Sequence, residues 1–173
     1  MRLIECSETD HADAILEILN EAITNSTALY DYKPRTRESM QGWFELKRSK
    51  SFPVVGAVDE HDRLLGFASY GTFRAFPAYK YTVEHSVYVQ RDLRRGGVGL
   101  ALMRELIQRA RTQEYHLLVG GIDMQNEASI RFHEKLGFVH AGTIRQAGFK
   151  FGRWLDLGFY QLLLDTPAAP VDG

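Results

Sequence analysis

One segment limits this chain more than any other: Val87-Tyr88-Val89 runs through a basic loop into Gly96-Gly97-Val98-Gly99, and these glycines open a strongly amphipathic helix. Glycine weakens a helix by roughly 1 kcal/mol relative to alanine, so three of them at a helix start need a reason. The first helical turn supplies one. Its backbone N–H groups lack intrahelical partners and carry partial positive charge, and without Cβ atoms a bulky anion can approach them. Arg94 and Arg95 add charge at the rim, so the segment predicts a cradle for a diphosphate. The plainer alternative is that the glycines only turn the chain and the arginines only face water. The placement at the start of a strong helix argues against it. Two nucleotide motifs fit poorly. Leu100 and Ala101 stand where a P-loop needs lysine and serine or threonine, and the third glycine of a dinucleotide fingerprint falls at Leu102.

The whole-chain charge is -1, which removes any bulk argument for nucleic-acid binding. Locally the balance is uneven: Arg91, Arg94, Arg95, Arg104, Arg109 and Arg111 face only Asp92 and Glu105, which suits a compact anion better than a polymer. The lone Cys6 forbids an intramolecular disulfide and fits a reducing compartment. No signal peptide is visible, and no run of about 18 apolar residues suggests a membrane span. The expected location is cytoplasmic. A chain of 173 residues fits one domain, read as 1–165, with a disordered tail over 166–173 that contains Pro167 and Pro170.

Periodicity gives the element order. A strand over Arg2–Cys6 precedes a helix capped by Thr9 or Asp10, with Ile15, Leu19, Ala22 and Ile23 on one face. Thr36 caps a second helix bearing Met40, Trp43, Phe44 and Lys47. Strands follow at 53–58, 64–72 and 81–89, the first two joined by the polar turn Asp59–Asp62 as an antiparallel hairpin. A helix over 97–113, a strand over 115–122 and a helix over 126–136 ended by Gly137 come next, then strands over 138–145 and 154–164. The expected class is α/β in the α+β sense: a mixed, mostly antiparallel, twisted sheet of about seven strands with helices on both faces. No metal spacing such as H-x-H or H-E-x-x-H occurs among the six histidines. In Gly66–Gly71 the serine stands one place late for a nucleophile elbow.

Arg94-x-x-Gly97-x-Gly99 resembles the coenzyme A signature of the GCN5-related N-acetyltransferases (GNAT), and Asn126-x-x-Ser129-x-x-Phe132-His133-x-Lys135-Leu136-Gly137-Phe138 resembles that family's later motif. The element order matches that fold along nearly the whole chain. Phe73–Phe76, Thr82–Val89 and Lys150–Asp156 resemble the phosphinothricin and methionine sulfoximine acetyltransferase branch. The resemblance implies transfer of acetyl from acetyl-CoA to the α-amino group of a small amino acid or analogue, without a metal. It implies coenzyme contacts from Val87, Tyr88 and Val89, from Arg94, Arg95, Gly96, Gly97, Val98, Gly99 and Leu100, and from Asn126 and Lys135. It implies acceptor contacts from Arg74, Ala75, Phe76 and Glu84, and, with the turn Phe149–Trp154, a homodimer. Many members of the wider family carry tyrosine where His133 stands, as the acid that protonates the leaving thiolate.

Acylating an α-ammonium group requires removal of its proton. Alternation on the strand 81–89 puts Glu84 with Thr82, Ser86 and Tyr88 on one face, and a carboxylate in mid-strand is costly unless paired or set in a cleft. Glu84 is thus the candidate base, acting directly or through water, or else an ammonium-binding group; a structural carboxylate satisfied by a neighbour is the alternative. Arg74, between aromatics, suits an anion clamp or an exposed loop. Asn126 reads equally well as a helix cap. His133 is the candidate acid, with a packed histidine as its alternative. Two other functions stay open: a protein or peptide N-terminal acetyltransferase, and a non-catalytic acyl-CoA-binding module.

Overall fold

The first helix begins at Ser7, where the sequence offers Ser7, Thr9 and Asp10 in quick succession. Ser7 stays extended and its hydroxyl accepts the Asp10 N–H at 3.1 Å, which moves the start ahead of the expected Thr9 or Asp10. The computed structural model describes residues 1–93 and 96–172, with the elements β1 (Arg2–Glu5), α1 (Glu8–Asn25), α2 (Arg37–Ser49), β2 (Val54–Val58), β3 (Leu64–Thr72), β4 (Thr82–Val89), α3 (Val98–Thr112), β5 (Leu117–Asp123), α4 (Glu127–Lys135), β6 (Val139–Lys150) and β7 (Arg153–Leu163). Two short 3-10 turns, Pro77–Tyr79 and Arg91–Leu93, were not legible as periodic patterns. Strand order is β1-β2-β3-β4-β5-β7-β6. The pairs β1–β2, β2–β3, β5–β7 and β6–β7 are antiparallel, and β4–β5 is parallel, from Thr82↔Leu117 to Glu84↔Val119. This is the expected seven-stranded, mostly antiparallel mixed sheet with four helices.

The chain forms two compact units, Met1–Tyr70 with Ser86–Leu106, and Gly71–His85 with Ile107–Gly173. The sequence reads as one domain because no linker marks a boundary: β3, β4 and α3 each pass from one unit into the other without interruption. In the first unit α1 and α2 bury Ile15, Ile18, Leu19, Met40 and Phe44 against Val54, Val58, Leu64 and Phe67. Cys6 is buried in this core, and burial pushes its thiol up to about 12. Lys47 is buried here too. Its ammonium donates to the Tyr70 carbonyl at 2.7 Å and lies over the Trp43 and Phe52 rings, and desolvation lowers its pKa to about 8.

In the second unit β6 extends past the expected end at Arg145. Gln146 takes a left-handed φ of 52° while its N–H is held by Asp156 Oδ1 at 2.8 Å. The ladder passes this bulge and resumes at Gly148↔Leu155. No glycine or proline marks that position, so the sequence gives no sign of it. Phe151 (φ 50°) and Gly152 (φ 72°) then form a two-residue hairpin turn with left-handed backbone at both positions. The 166–172 stretch has no helix or strand. The Thr166 hydroxyl donates to the Tyr115 carbonyl, and Val171 N–H to the Tyr81 hydroxyl at 3.1 Å.

Candidate active site

Gly97 has φ +82°, a left-handed conformation that only glycine adopts cheaply, and a Cβ there meets nothing within 4 Å. The helix α3 begins directly after it, at Val98. Among the described residues the first i→i−4 bond runs from Ala101 N–H to Gly97 C=O at 3.0 Å, one turn into the helix from the amides of Val98, Gly99 and Leu100. Open space above a glycine and the first-turn amides of a helix fit a diphosphate. Gly96 differs: its N–H is already given to the Leu93 carbonyl at 3.1 Å. Arg94 and Arg95 lie outside the described residues. Val87, Tyr88 and Val89 are half-buried at the C-terminal end of β4, beyond the stretch whose register with β5 ends at Glu84↔Val119.

Glu84 is half-buried on β4, and burial raises its pKa above the ordinary carboxylate value while Arg74 pulls it the other way. Arg74 is exposed, with its guanidinium 5.3 Å from the Phe73 ring centroid, and Ala75 and Phe76 beside it are also exposed. Phe73 in turn packs edge-on to Phe159, 6.3 Å between centroids. The structure thus brings Arg74 and Glu84 into one electrostatic neighbourhood.

Two adjacent glycines on β5 explain how β4 carries its side chains. A Cβ on Gly121 would lie 3.4 Å from Glu84 Oε1, and one on Gly120 would lie 2.7 Å from His85 Nε2. The consecutive residues Glu84 and His85, on opposite faces of β4, each lean over a bare stretch of β5. His85 stacks on His133, with centroids 5.0 Å apart and 19° between planes, and Phe138 meets both rings edge-on. His133 Nδ1 donates to the Ser129 carbonyl at 2.7 Å, which leaves Nε2 as the acceptor nitrogen. That Nε2 and both nitrogens of His85 are buried without partners among the described residues. Desolvation lowers the pKa of both rings, His85 to about 3, so the pair is neutral at pH 7.

Asn126 caps α4: its side chain accepts the Ser129 N–H at 3.1 Å. Lys135 is exposed near the end of α4. Among the described residues no group of three or more His, Cys, Asp or Glu side chains is placed to hold a metal, and no helix is long and apolar enough to cross a membrane. Sequence reasoning missed His85 and the Gly120-Gly121 pair. A double glycine in a strand reads only as a weak strand until the register shows what lies over it.

An amide-lined helix start and a raised-pKa carboxylate on the preceding strand agree with what the comparisons show. Residues 13–138 match the acetyltransferase (GNAT) family, and the chain belongs to it as an acetyltransferase. The L-methionine sulfoximine/L-methionine sulfone acetyltransferase of Pseudomonas paraeruginosa is 46% identical over 157 residues, covering 90% of this chain and 91% of the relative. A solved structure from Acinetobacter baylyi ADP1 is 64% identical with a TM-score of 0.98, covering 99% of this chain and 96% of that one. A Salmonella typhimurium acetyltransferase solved with acetyl-CoA is 39% identical with a TM-score of 0.93, covering 99% and 98%. With phosphinothricin N-acetyltransferases also among its relatives, the chain falls in the methionine sulfoximine and phosphinothricin acetyltransferase branch.

Proposed function

We propose that this protein transfers the acetyl group of acetyl-CoA to the α-amino group of a small amino acid or analogue, of the kind represented by methionine sulfoximine, methionine sulfone or phosphinothricin. The reading rests chiefly on Glu84, a half-buried carboxylate of raised pKa beside the Arg74 guanidinium, on the same strand as Val87–Val89. The bound thioester supplies the acetyl carbon. The amides of Gly97 to Leu100 hold its diphosphate, with Arg94, Arg95, Asn126 and Lys135 assigned to the same coenzyme, and the backbone of Val87–Val89 takes its pantetheine arm as a strand edge takes an added strand.

Arg74, with Ala75 and Phe76, receives the acceptor's anionic group, and Glu84 receives its ammonium. Glu84 removes one proton, directly or through a water, and the freed amine attacks in a ternary complex. The new N–C bond forms, the nitrogen's second proton passes to the departing thiolate, directly or through solvent, as the C–S bond breaks, and Glu84 returns the first proton to solvent. His133 enters this scheme as a neutral ring. Its Nδ1 proton is committed to Ser129 and its Nε2 carries none, so it orients and accepts and does not donate.

The discriminating experiment is thiol release from acetyl-CoA against amino acids, methionine sulfoximine, phosphinothricin and short peptides. Turnover with free amino-acid analogues is expected. Turnover with peptides alone would shift the assignment to N-terminal acetylation, and binding of acetyl-CoA without release by any amine would leave a carrier module. We propose a homodimer built on the β6–β7 hairpin, where Phe149, Phe151 and Trp154 are exposed.

A further inference from the structure

At Gly121, close to the Glu84 carboxylate, β5 carries no side chain. Gly121 is exposed although β5 lies between β4 and β7 in the strand order. A Cβ built on it lies 3.2 Å from Leu157 Cδ1 and 3.4 Å from Glu84 Oε1. A methyl group at this position fits with a small retreat of Leu157. Its surroundings divide by chemistry. Glu84 stands on one side, with Arg74 acting on it electrostatically. Leu157 stands on the other. Phe159 pairs with Gly121 across the β5–β7 ladder, and Phe73 packs against Phe159. Nothing in the backbone demands glycine here, because Gly121 is not among the glycines with left-handed φ. The absent side chain therefore serves space and not conformation.

An amine hydrogen-bonded to Glu84 places the carbons next to its nitrogen within a bond or two of this recess. We propose that Gly121 is a specificity-determining residue: the bare backbone beside Glu84 receives the first carbons of the acceptor's side chain, with Leu157 and Phe159 as the apolar wall. This rests on the reading of Glu84 as the group that meets the acceptor amine. The recess sets how much bulk the acceptor carries close to its nitrogen, whereas Arg74 sets its charge. One methylene in an apolar pocket changes discrimination by roughly 10- to 200-fold, so a single added methyl is enough to be measured.

The test is a panel of α-amino acids and analogues of graded bulk, compared between the wild-type protein and Gly121→Ala by kcat/KM. Among acceptors the wild type turns over, the ratio of bulkiest to smallest should fall by about tenfold in Gly121→Ala, at the low end of that range. The KM for acetyl-CoA should be unchanged. Leu157→Ala in the Gly121→Ala background should return the ratio towards the wild-type value, because it gives back the wall that the methyl crowds. An unchanged ratio, or an equal loss for every acceptor that Leu157→Ala does not relieve, overturns the proposal. If the wild type acetylates no acceptor in the panel, the reading of Glu84 fails and this proposal with it.

Discussion

Glu84 is held between two opposing influences, and its titration can be read in activity. Burial raises its pKa and Arg74 lowers it, with burial the larger. A base works only when ionised, so activity should fall as pH drops through this raised value. Glu84→Gln should lower kcat by roughly 10²- to 10⁴-fold in the thiol-release assay while acetyl-CoA binding persists. Arg74→Met removes the cation that favours the carboxylate, so the acidic limb of the pH–kcat profile should move to higher pH. Lys47 gives a stability counterpart. Its folded pKa of about 8 lies below the ordinary 10.5, so between these values the unfolded chain binds more protons than the folded one. Stability is then greatest above 10.5 and declines as pH falls to about 8, by at most about 3 kcal/mol. Denaturant unfolding across that window should show the slope, and Lys47→Met should flatten it. Glu84 was legible because alternation isolates a carboxylate in mid-strand. Lys47 was legible only in part: its spacing puts it with Met40, Trp43 and Phe44, but the Tyr70 carbonyl that receives its ammonium lies on a distant strand.

At the scale of elements, the strand β4 and the helix α4 meet at the stacked imidazoles, over Gly120 of β5. Gly120→Ala drives a Cβ to 2.7 Å from His85 Nε2, so the ring must leave its seat. A cost of about 1–3 kcal/mol is expected, measured as a lower unfolding midpoint. Asn126 carries two assignments that one series separates. Asn126→Ala loses the cap and about 1 kcal/mol, whereas Asn126→Asp keeps the cap, and a raised acetyl-CoA KM in the aspartate variant alone reports the coenzyme contact. Most elements were legible from their caps and periods: α2 behind Thr36, α4 behind Asn126, and the β2–β3 hairpin around Asp59–Asp62. The end of β6 was not, because a bulge centred on Gln146 depends on the distant Asp156 carboxylate. The His85–His133 stack likewise needs the β4–β5 register, which joins residues far apart in sequence and leaves no local trace.

For the molecule as a whole, the residues proposed for the coenzyme divide between the units, with Val87–Val89 and Gly97–Leu100 in the first and Asn126 and Lys135 in the second, whereas those proposed for the acceptor, Arg74, Ala75, Phe76 and Glu84, all lie in the second. Calorimetric titration with acetyl-CoA should show binding that survives Glu84→Gln, since that side chain is proposed to meet the acceptor and not the coenzyme. Trp154→Glu should shift the sedimenting mass from two chains to one if the exposed hairpin aromatics join two copies.

The solitary cysteine has a practical consequence. Cys6 sits in the core of the first unit with its sulfur shielded, and burial keeps it protonated to about pH 12. Only a thiolate attacks a disulfide reagent, so the native protein is silent to the dyes used to count liberated coenzyme. One equivalent of colour per chain then marks a molecule that has opened, and the protein carries its own gauge of denaturation.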